Sequence, residues 1–327
     1  MTVLVTGGAG YIGSHMVLEL VDRGEHVVVL DNLSTGFASS IPTTVPLVVG
    51  DMGDEALVAS VIAEHRVDAL AHFAAKIVVP ESVAEPLDYY LNNTSKSRSL
   101  IAAALGAGVK TIIFSSTAAV YGNAEVQPVT EDSPTDPVSP YGRSKLMTEW
   151  ILEDTARATD LRYAALRYFN VAGADPKGRA GQSTPRATHL IKVACQAALG
   201  QRPFLEVFGT DFPTPDGSCL RDYIHVTDLA RAHGLALDYL RGGGDSVTLN
   251  CAYGQGFSVL EVVSAVKRVS GVDFEVRIAP RRAGDPASIV ATGKKIRSTL
   301  GWTPELDDLE TIIRHALAWE KHLAHKG

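Results

Sequence analysis

The sequence predicts an α/β protein: a doubly wound parallel sheet in the first half of the chain, followed by a smaller C-terminal α/β region. Three observations predict it. Short apolar runs alternate with helical patterns from residue 3 onward, the rhythm of parallel strands joined by crossover helices. A glycine-rich turn, Gly7-Gly8-Ala9-Gly10-Tyr11-Ile12-Gly13, joins the first strand to the first helix, and Asp31 closes the second strand. After Asn170 the texture changes, with glycine, proline and charge becoming frequent.

Taken in order, Val3-Leu4-Val5-Thr6 reads as a buried strand. The helix after the glycine turn runs to Gly24, and His26 to Leu30 is the next strand. Strand, glycine turn, helix, strand and terminal acid form the dinucleotide-binding fingerprint of Rossmann-type sheets. The glycines permit a tight turn, and a pyrophosphate then rests on the helix N-terminus. Asp31, 18 residues past Gly13, is placed to accept from an adenosine ribose and would repel a 2′-phosphate. The cofactor read from these residues is NAD rather than NADP.

Further strands are read at residues 46–52, 67–75, 111–117 and 161–170, with a helix over 86–105 between them. Asp51 is placed to reach an adenine amino group. Ligands of such sheets lie beyond the carboxyl ends of the strands, so Phe73, Thr117 and Tyr121 are expected to face the cofactor. The domain reading is 1–170 for NAD and 171–327 for substrate, with residues near 222–250 returning to the first domain. Within the second region a helix is read over 189–199, and another is read as capped by Thr227 or Asp228. A strand is read at 247–250, a capping box at Ser258 and Glu261, a basic turn at 280–285, and a last helix over 309–322.

In Ser139-Pro140-Tyr141-Gly142-Arg143-Ser144-Lys145 a proline opens a helix, and Tyr141 and Lys145 stand one turn apart on one face. A tyrosine used as a base near neutrality must lose about three units from its usual pKa of ~10. A neighbouring ammonium group beside a positive nicotinamide ring is expected to supply that shift.

The chain has 327 residues, 46% hydrophobic and 20% charged, with net charge −7 and no block of like charge. This argues against a nucleic-acid or anionic-membrane surface. The three cysteines, Cys195, Cys219 and Cys251, are widely spaced, so buried thiols in a reducing compartment are expected, with no disulfide and no metal. The chain opens directly into a strand pattern and lacks any apolar run of membrane length, which points to the cytoplasm. His15 and His72 are read as packing or cofactor-adjacent residues rather than metal ligands, and His225 as a buried hydrogen-bonding group. No GxSxG turn supports a hydrolase.

Together with Val120-Tyr121-Gly122, Leu166-Arg167-Tyr168-Phe169-Asn170, Arg221-Asp222-Tyr223-Ile224-His225 and Pro280-Arg281-Arg282-Ala283-Gly284-Asp285, these motifs make the chain similar to the extended short-chain dehydrogenase/reductases. Within them it resembles the UDP-sugar 4-epimerase branch of the NAD-dependent epimerases and dehydratases, nearly end to end. The resemblance implies an isomerase that interconverts UDP-galactose and UDP-glucose through a transient 4-keto sugar, keeping NAD bound. Tyr141 would take the O4 proton, Thr117 would hold O4, and Lys145 would hold the nicotinamide ribose. It implies cofactor contacts at Gly7, Gly10, Tyr11, Ile12, Gly13, Asp31, Asn32, Asp51, Met52, Phe73, Ala74, Ala75, Asn92, Ser115, Tyr141, Lys145 and Tyr168. Substrate contacts are implied at Thr117, Asn170, His189, Leu190, Val207, Phe208, Arg221, Tyr223, Arg282, Asp285 and Ile289. A homodimer through the helices at 86–105 and 141–158 is implied as well.

Related dehydratases and decarboxylases place acids just after the hydroxyl residue, where this chain has Ala118-Ala119. That favours epimerisation. The alternatives are a 4-epimerase of another UDP-sugar (N-acetylhexosamine, pentose or uronic acid), a reductase that releases its keto product, or a non-catalytic NAD-binding sensor. Three departures stand out. Thr117 replaces a common serine. Lys76 lies one residue before Ile77, where many members carry a cofactor lysine, and is not assigned that contact. His189 replaces a common asparagine.

Overall fold

The computed structural model describes residues 1–184, 187–282 and 286–326, with residue 326 described by its backbone alone. In chain order the first half contains β1 (Thr2–Thr6), α1 (Tyr11–Asp22), β2 (His26–Asp31), β3 (Leu47–Val49), α2 (Glu55–His65), β4 (Ala69–His72), α3 (Val79–Ala84) and α4 (Pro86–Tyr89). A π-helical turn over Tyr90–Ser95 leads into α5 (Lys96–Gly106), then β5 (Thr111–Ser115), a 3₁₀ turn over Ala118–Tyr121, α6 (Pro140–Ala158) and β6 (Arg162–Tyr168). There follow β7 (Asn170–Ala172), α7 (Leu190–Ala198), β8 (Leu205–Phe208), β9 (Leu220–His225), α8 (Val226–Arg241), β10 (Val247–Cys251) and β11 (Gly256–Ser258). The chain closes with α9 (Val259–Ser270), β12 (Val276–Ala279), β13 (Ser288–Ile289), α10 (Lys294–Leu300) and α11 (Leu309–Lys326).

Seven parallel strands form the main sheet in the order β10-β6-β5-β4-β1-β2-β3. The order reverses between β1 and β4, and a crevice opens at that switch point beyond their carboxyl ends. Because a doubly wound sheet is covered on both faces, its strands are apolar throughout rather than alternating. On one face Val3, Val5, Val27 and Val29 pack with Met16 and Val17 of α1 and Leu229 and Leu237 of α8. On the other, Leu4, Val28, Leu70 and Ile112 meet Val58 and Ile62 of α2, Leu100 of α5 and Leu152 of α6. A separate core joins α7, α9 and α11 through residues such as Ile191, Val262, Val266, Ile312 and Ile313. The capping box at Ser258 and Glu261 forms as the spacing predicts.

Four readings need correction. The run 161–170 is two strands, since β6 belongs to the main sheet whereas β7 pairs with β9. The chain leaves the sheet between Tyr168 and Asn170, and the Asn170 side chain reaches the Asp222 carbonyl at 3.2 Å. The helix over 86–105 is interrupted by the π-helical turn. There Asn93 turns inward, accepting from the Lys76 amide at 2.8 Å and donating to the Lys76 carbonyl at 2.9 Å and to Ser144 Oγ at 3.1 Å. The segment 220–225 is a strand, and the cap of α8 is His225, whose Nδ1 accepts from the Thr227 amide at 3.1 Å. Asp228 instead accepts from the Glu305 and Leu306 amides and from the Tyr253 hydroxyl. The stretch after Asn170, read as irregular apart from one helix, also contains the short strands β7 and β8. The basic turn at 280–285 lies partly outside the described residues.

Candidate active site

The β1–α1 turn is built for close approach. A Cβ on Gly13 would stand 2.1 Å from the Gly7 carbonyl oxygen, and one on Gly7, itself at φ +73°, would stand 2.6 Å from the Ala74 amide nitrogen. Gly10 caps α1 without a side chain, so the amides of the first turn, Ile12 among them, remain available to an anion. Asp31 is buried at the end of β2 and accepts from the Ala9 amide at 2.9 Å and the Leu33 amide at 2.8 Å. Its carboxylate keeps lone pairs for a ribose hydroxyl. Asn32 lies beside it and accepts from the Ser34 amide at 3.0 Å. Glycine cradle, open helix terminus and buried acid together fit a dinucleotide.

Several expected cofactor residues offer less than their side chains suggest. The Tyr11 hydroxyl donates to the Gly173 carbonyl at 2.8 Å, tying the glycine turn to the chain beyond β7 and leaving only its main chain for a ligand. Met52 packs its side chain into the core. Asp51 pairs with Lys96 at 2.5 Å and accepts from the Gly53 amide at 2.8 Å. Phe73 lies on the site side of β4 with its ring 4.9 Å from that of His233, and Ala74 and Ala75 follow it. Tyr121 was expected to face the cofactor. The 3₁₀ turn swings it inward, where its hydroxyl donates to Asn250 Oδ1 at 2.6 Å and accepts from Arg167 at 3.0 Å. Asn92 donates to Asn93 Oδ1 at 3.0 Å.

The centre of the site is carried by α6. Ser139 caps it by accepting from the Gly142 amide at 3.2 Å, and Pro140 occupies the first turn. Gly142 permits the docking of α6 on the 3₁₀ turn, since a Cβ there would stand 2.6 Å from the Ala119 carbonyl oxygen. That contact sets Tyr141 beside Thr117, which begins the turn and accepts from the Ala119 amide at 3.1 Å. Burial raises the Tyr141 pKa, and a hydrogen bond with Thr117 pulls it back. Lys145 is also buried and donates to the Ser115 carbonyl at 2.9 Å, its ammonium group 4.9 Å above the Phe114 ring. Desolvation lowers its pKa to about 7, against a smaller opposing pull from Glu149.

Lys145 donates to the Ser115 carbonyl, and the shift expected of Tyr141 calls for the cofactor's positive ring as well as this ammonium group. Ser115 Oγ and the Tyr168 hydroxyl share a hydrogen bond of 2.5 Å nearby.

Beneath this site lies a buried network that the motif reading did not find. Arg167 grips Glu149 through contacts of 2.5 and 3.0 Å, and Glu149 also accepts from Ser116. The signal was present, because an arginine inside the apolar run of β6 needs a buried partner. Lys76 turns away from the crevice toward Asp88 and Glu81.

On the opposite wall, Asn170, His189, Leu190 and Tyr223 line one small cavity. Arg221 and Ile289 stand side by side in the β9–β13 register. Phe208 faces Arg282, whose guanidinium lies 3.7 Å from the ring centroid. Val207 alternates inward into the core, so its side chain is closed to a ligand. Asp285 lies outside the described residues. Among the described residues, no cluster of His, Cys, Asp and Glu could hold a metal ion, and no helix is long and apolar enough to cross a membrane.

Comparison with known proteins agrees with this geometry. Residues 3–252 match the NAD dependent epimerase/dehydratase family. A UDP-glucose 4-epimerase of Azospirillum brasilense is 59% identical over 321 residues, covering 98% of this chain and 92% of that protein. A UDP-glucose 4-epimerase structure from Stenotrophomonas maltophila, with bound NAD and formylated UDP-arabinopyranose, superposes with a TM-score of 0.97 at 42% identity and full coverage of both chains. One from Bifidobacterium longum, in complex with NAD⁺ and UDP, gives 0.92 at 37% identity, again over both whole chains. The crevice at the β1–β4 switch point, the Thr117–Tyr141–Lys145 set and these matches lead to one conclusion: the chain belongs to the NAD-dependent epimerase/dehydratase family, among its UDP-glucose 4-epimerases.

Proposed function

We propose that the chain interconverts UDP-galactose and UDP-glucose by oxidising and re-reducing the sugar at C4, with NAD held in the crevice between β1 and β4. The observation that carries this reading is the buried Thr117–Tyr141 pair beside Lys145, followed by Ala118-Ala119 where elimination of water would need an acid. NAD⁺, when bound, supplies the group that accepts the C4 hydride and gives it back, along with a positive charge.

Tyr141 holds the O4 proton and Thr117 hydrogen-bonds O4 and relays that proton. Lys145, anchored at the Ser115 carbonyl, keeps two donors for the ribose hydroxyls. Arg221 and Arg282 suit the diphosphate with their planar forks, and Phe208 offers a face to the uracil. His189, Leu190, Asn170 and Tyr223 line the diphosphate and sugar side. Asp285 is assigned to a ribose hydroxyl, and Ile289 to the limit on sugar size. In this reading residues 1–170 hold the cofactor and 171–327 the UDP-sugar, with 222–250 packed back on the first unit.

The assembly is a homodimer formed by the helices at 86–105 and 141–158. Leu87, Leu91 and Trp150 support it, since their side chains are 82%, 54% and 52% exposed on those helices. Buried free thiols at Cys195, Cys219 and Cys251 fit a cytoplasmic location.

The test is to incubate the purified protein with UDP-galactose and no added cofactor, assay UDP-glucose, and release bound nucleotide by denaturation. Conversion together with released NAD is expected. Bound NAD without conversion of this sugar would contradict the proposal and turn attention to another UDP-sugar.

A further inference from the structure

The ring of His189 is held on one side and open to the cleft on the other. Its Nδ1 lies 2.8 Å from the side-chain amide nitrogen of Gln182, while the residue as a whole is exposed. Gln182 is only 9% exposed, and its place is fixed. Lys192, three residues along from His189, donates to the Gln182 main-chain carbonyl at 2.7 Å and pairs with Glu320 of α11. These four residues line one cavity with Asn170, and its charged lining groups, Lys192 and Glu320, offset each other. Desolvation and Lys192 lower the His189 pKa, so the neutral ring prevails near pH 7.

An amide nitrogen can only donate. Nδ1 must then accept, and a neutral imidazole in that position carries its proton on Nε2. We propose that Gln182 is a positioning residue: by donating to Nδ1 it fixes His189 in the Nε2–H tautomer, so that the ring presents a donor to the diphosphate of the UDP-sugar. The inference rests on the placement of the diphosphate beside His189 proposed above. A diphosphate only accepts hydrogen bonds. The opposite tautomer would set a nitrogen lone pair against its oxygens.

The test inverts the partner. In Gln182→Glu the carboxylate draws a proton to Nδ1, so Nε2 carries one only when the ring is cationic. UDP affinity by calorimetry and KM for UDP-galactose should be close to the parent values at pH 6. Relative to the parent protein at the same pH, both should weaken about tenfold by pH 8.5, the loss of one charge-assisted hydrogen bond. The change should fall on KM rather than kcat. Gln182→Met should raise KM a few-fold without a new pH dependence, and it guards against a folding failure of the charged variant. In Gln182→Glu/His189→Asn the pH dependence should vanish, because asparagine has no tautomers.

A Gln182→Glu profile that follows the parent at every pH would overturn the inference. So would a pH dependence that survives in the double variant. Unchanged UDP affinity in His189→Ala would instead sink the placement of the diphosphate.

Discussion

Burial raises the pKa of Tyr141 and lowers that of Lys145 to about 7, so near neutrality the protein without cofactor keeps the phenol protonated and Lys145 divided between its two forms. In the proposed mechanism Tyr141 needs the positive charge that arrives with the cofactor to act as a proton acceptor, whereas the Lys145 ammonium is favoured by acceptors such as the Ser115 carbonyl and the cofactor's ribose hydroxyls. Tyr141→Phe removes only the hydroxyl and should lower kcat by about 10²–10⁴-fold, the usual range for a positioned acid–base group, with little change in UDP affinity.

The buried lysine also carries a stability signature. Unfolded, Lys145 titrates near 10.4, so between about 7 and that value the unfolded chain holds a proton that the folded chain has lost. Stability of the cofactor-free protein from this group therefore rises with pH across that window, and the cost of burying the charge is full below it. Lys145→Met should stabilise the cofactor-free protein at pH 7 by roughly 2–5 kcal/mol and remove that rise, as denaturant titrations at pH 6 to 10 would register. The same variant should lose activity. Tyr141, Lys145 and Thr117 were all legible from the sequence as residues. Which atom Lys145 addresses was not, because spacing along a helix places two side chains on one face without choosing their partners.

At the scale of elements, the site depends on α6 lying against the 118–121 turn. Gly142→Ala places a methyl group within 2.6 Å of the Ala119 carbonyl oxygen, and backbone cannot yield as a flexible side chain does. The expected cost is about 1–3 kcal/mol of stability. kcat should fall as Tyr141 and Thr117 separate, while α6 content by circular dichroism stays unchanged. A variant with parent stability and rate would mean that this approach does not set the site.

The strands and helices of the first half were readable because both faces of the sheet are covered and each run is apolar over its length. The break between β6 and β7 was not, since periodicity carries no information about which strand a residue pairs with. The π-helical turn escaped for a related reason. It exists to let Asn93 bond the Lys76 main chain and Ser144, contacts made 17 and 51 residues away. Likewise Gln182 lay in a stretch read as irregular, and only the fold brings it to His189.

For the whole molecule, Leu87, Leu91 and Trp150 present exposed apolar side chains on the face proposed for the dimer contact. Trp150→Glu combined with Leu91→Glu should convert the proposed dimer into a monomer in sedimentation velocity. A parent protein that sediments as a monomer would contradict the assembly.

In the proposed reaction hydride leaves C4 and returns to C4 within one site. UDP-galactose carrying deuterium at C4 tests it most directly, incubated with the protein in ordinary water and followed by mass spectrometry of the UDP-glucose formed. The product should retain the label at C4. Its loss to solvent would rule out hydride return, since the carbon-bound hydrogen would then have left as a proton.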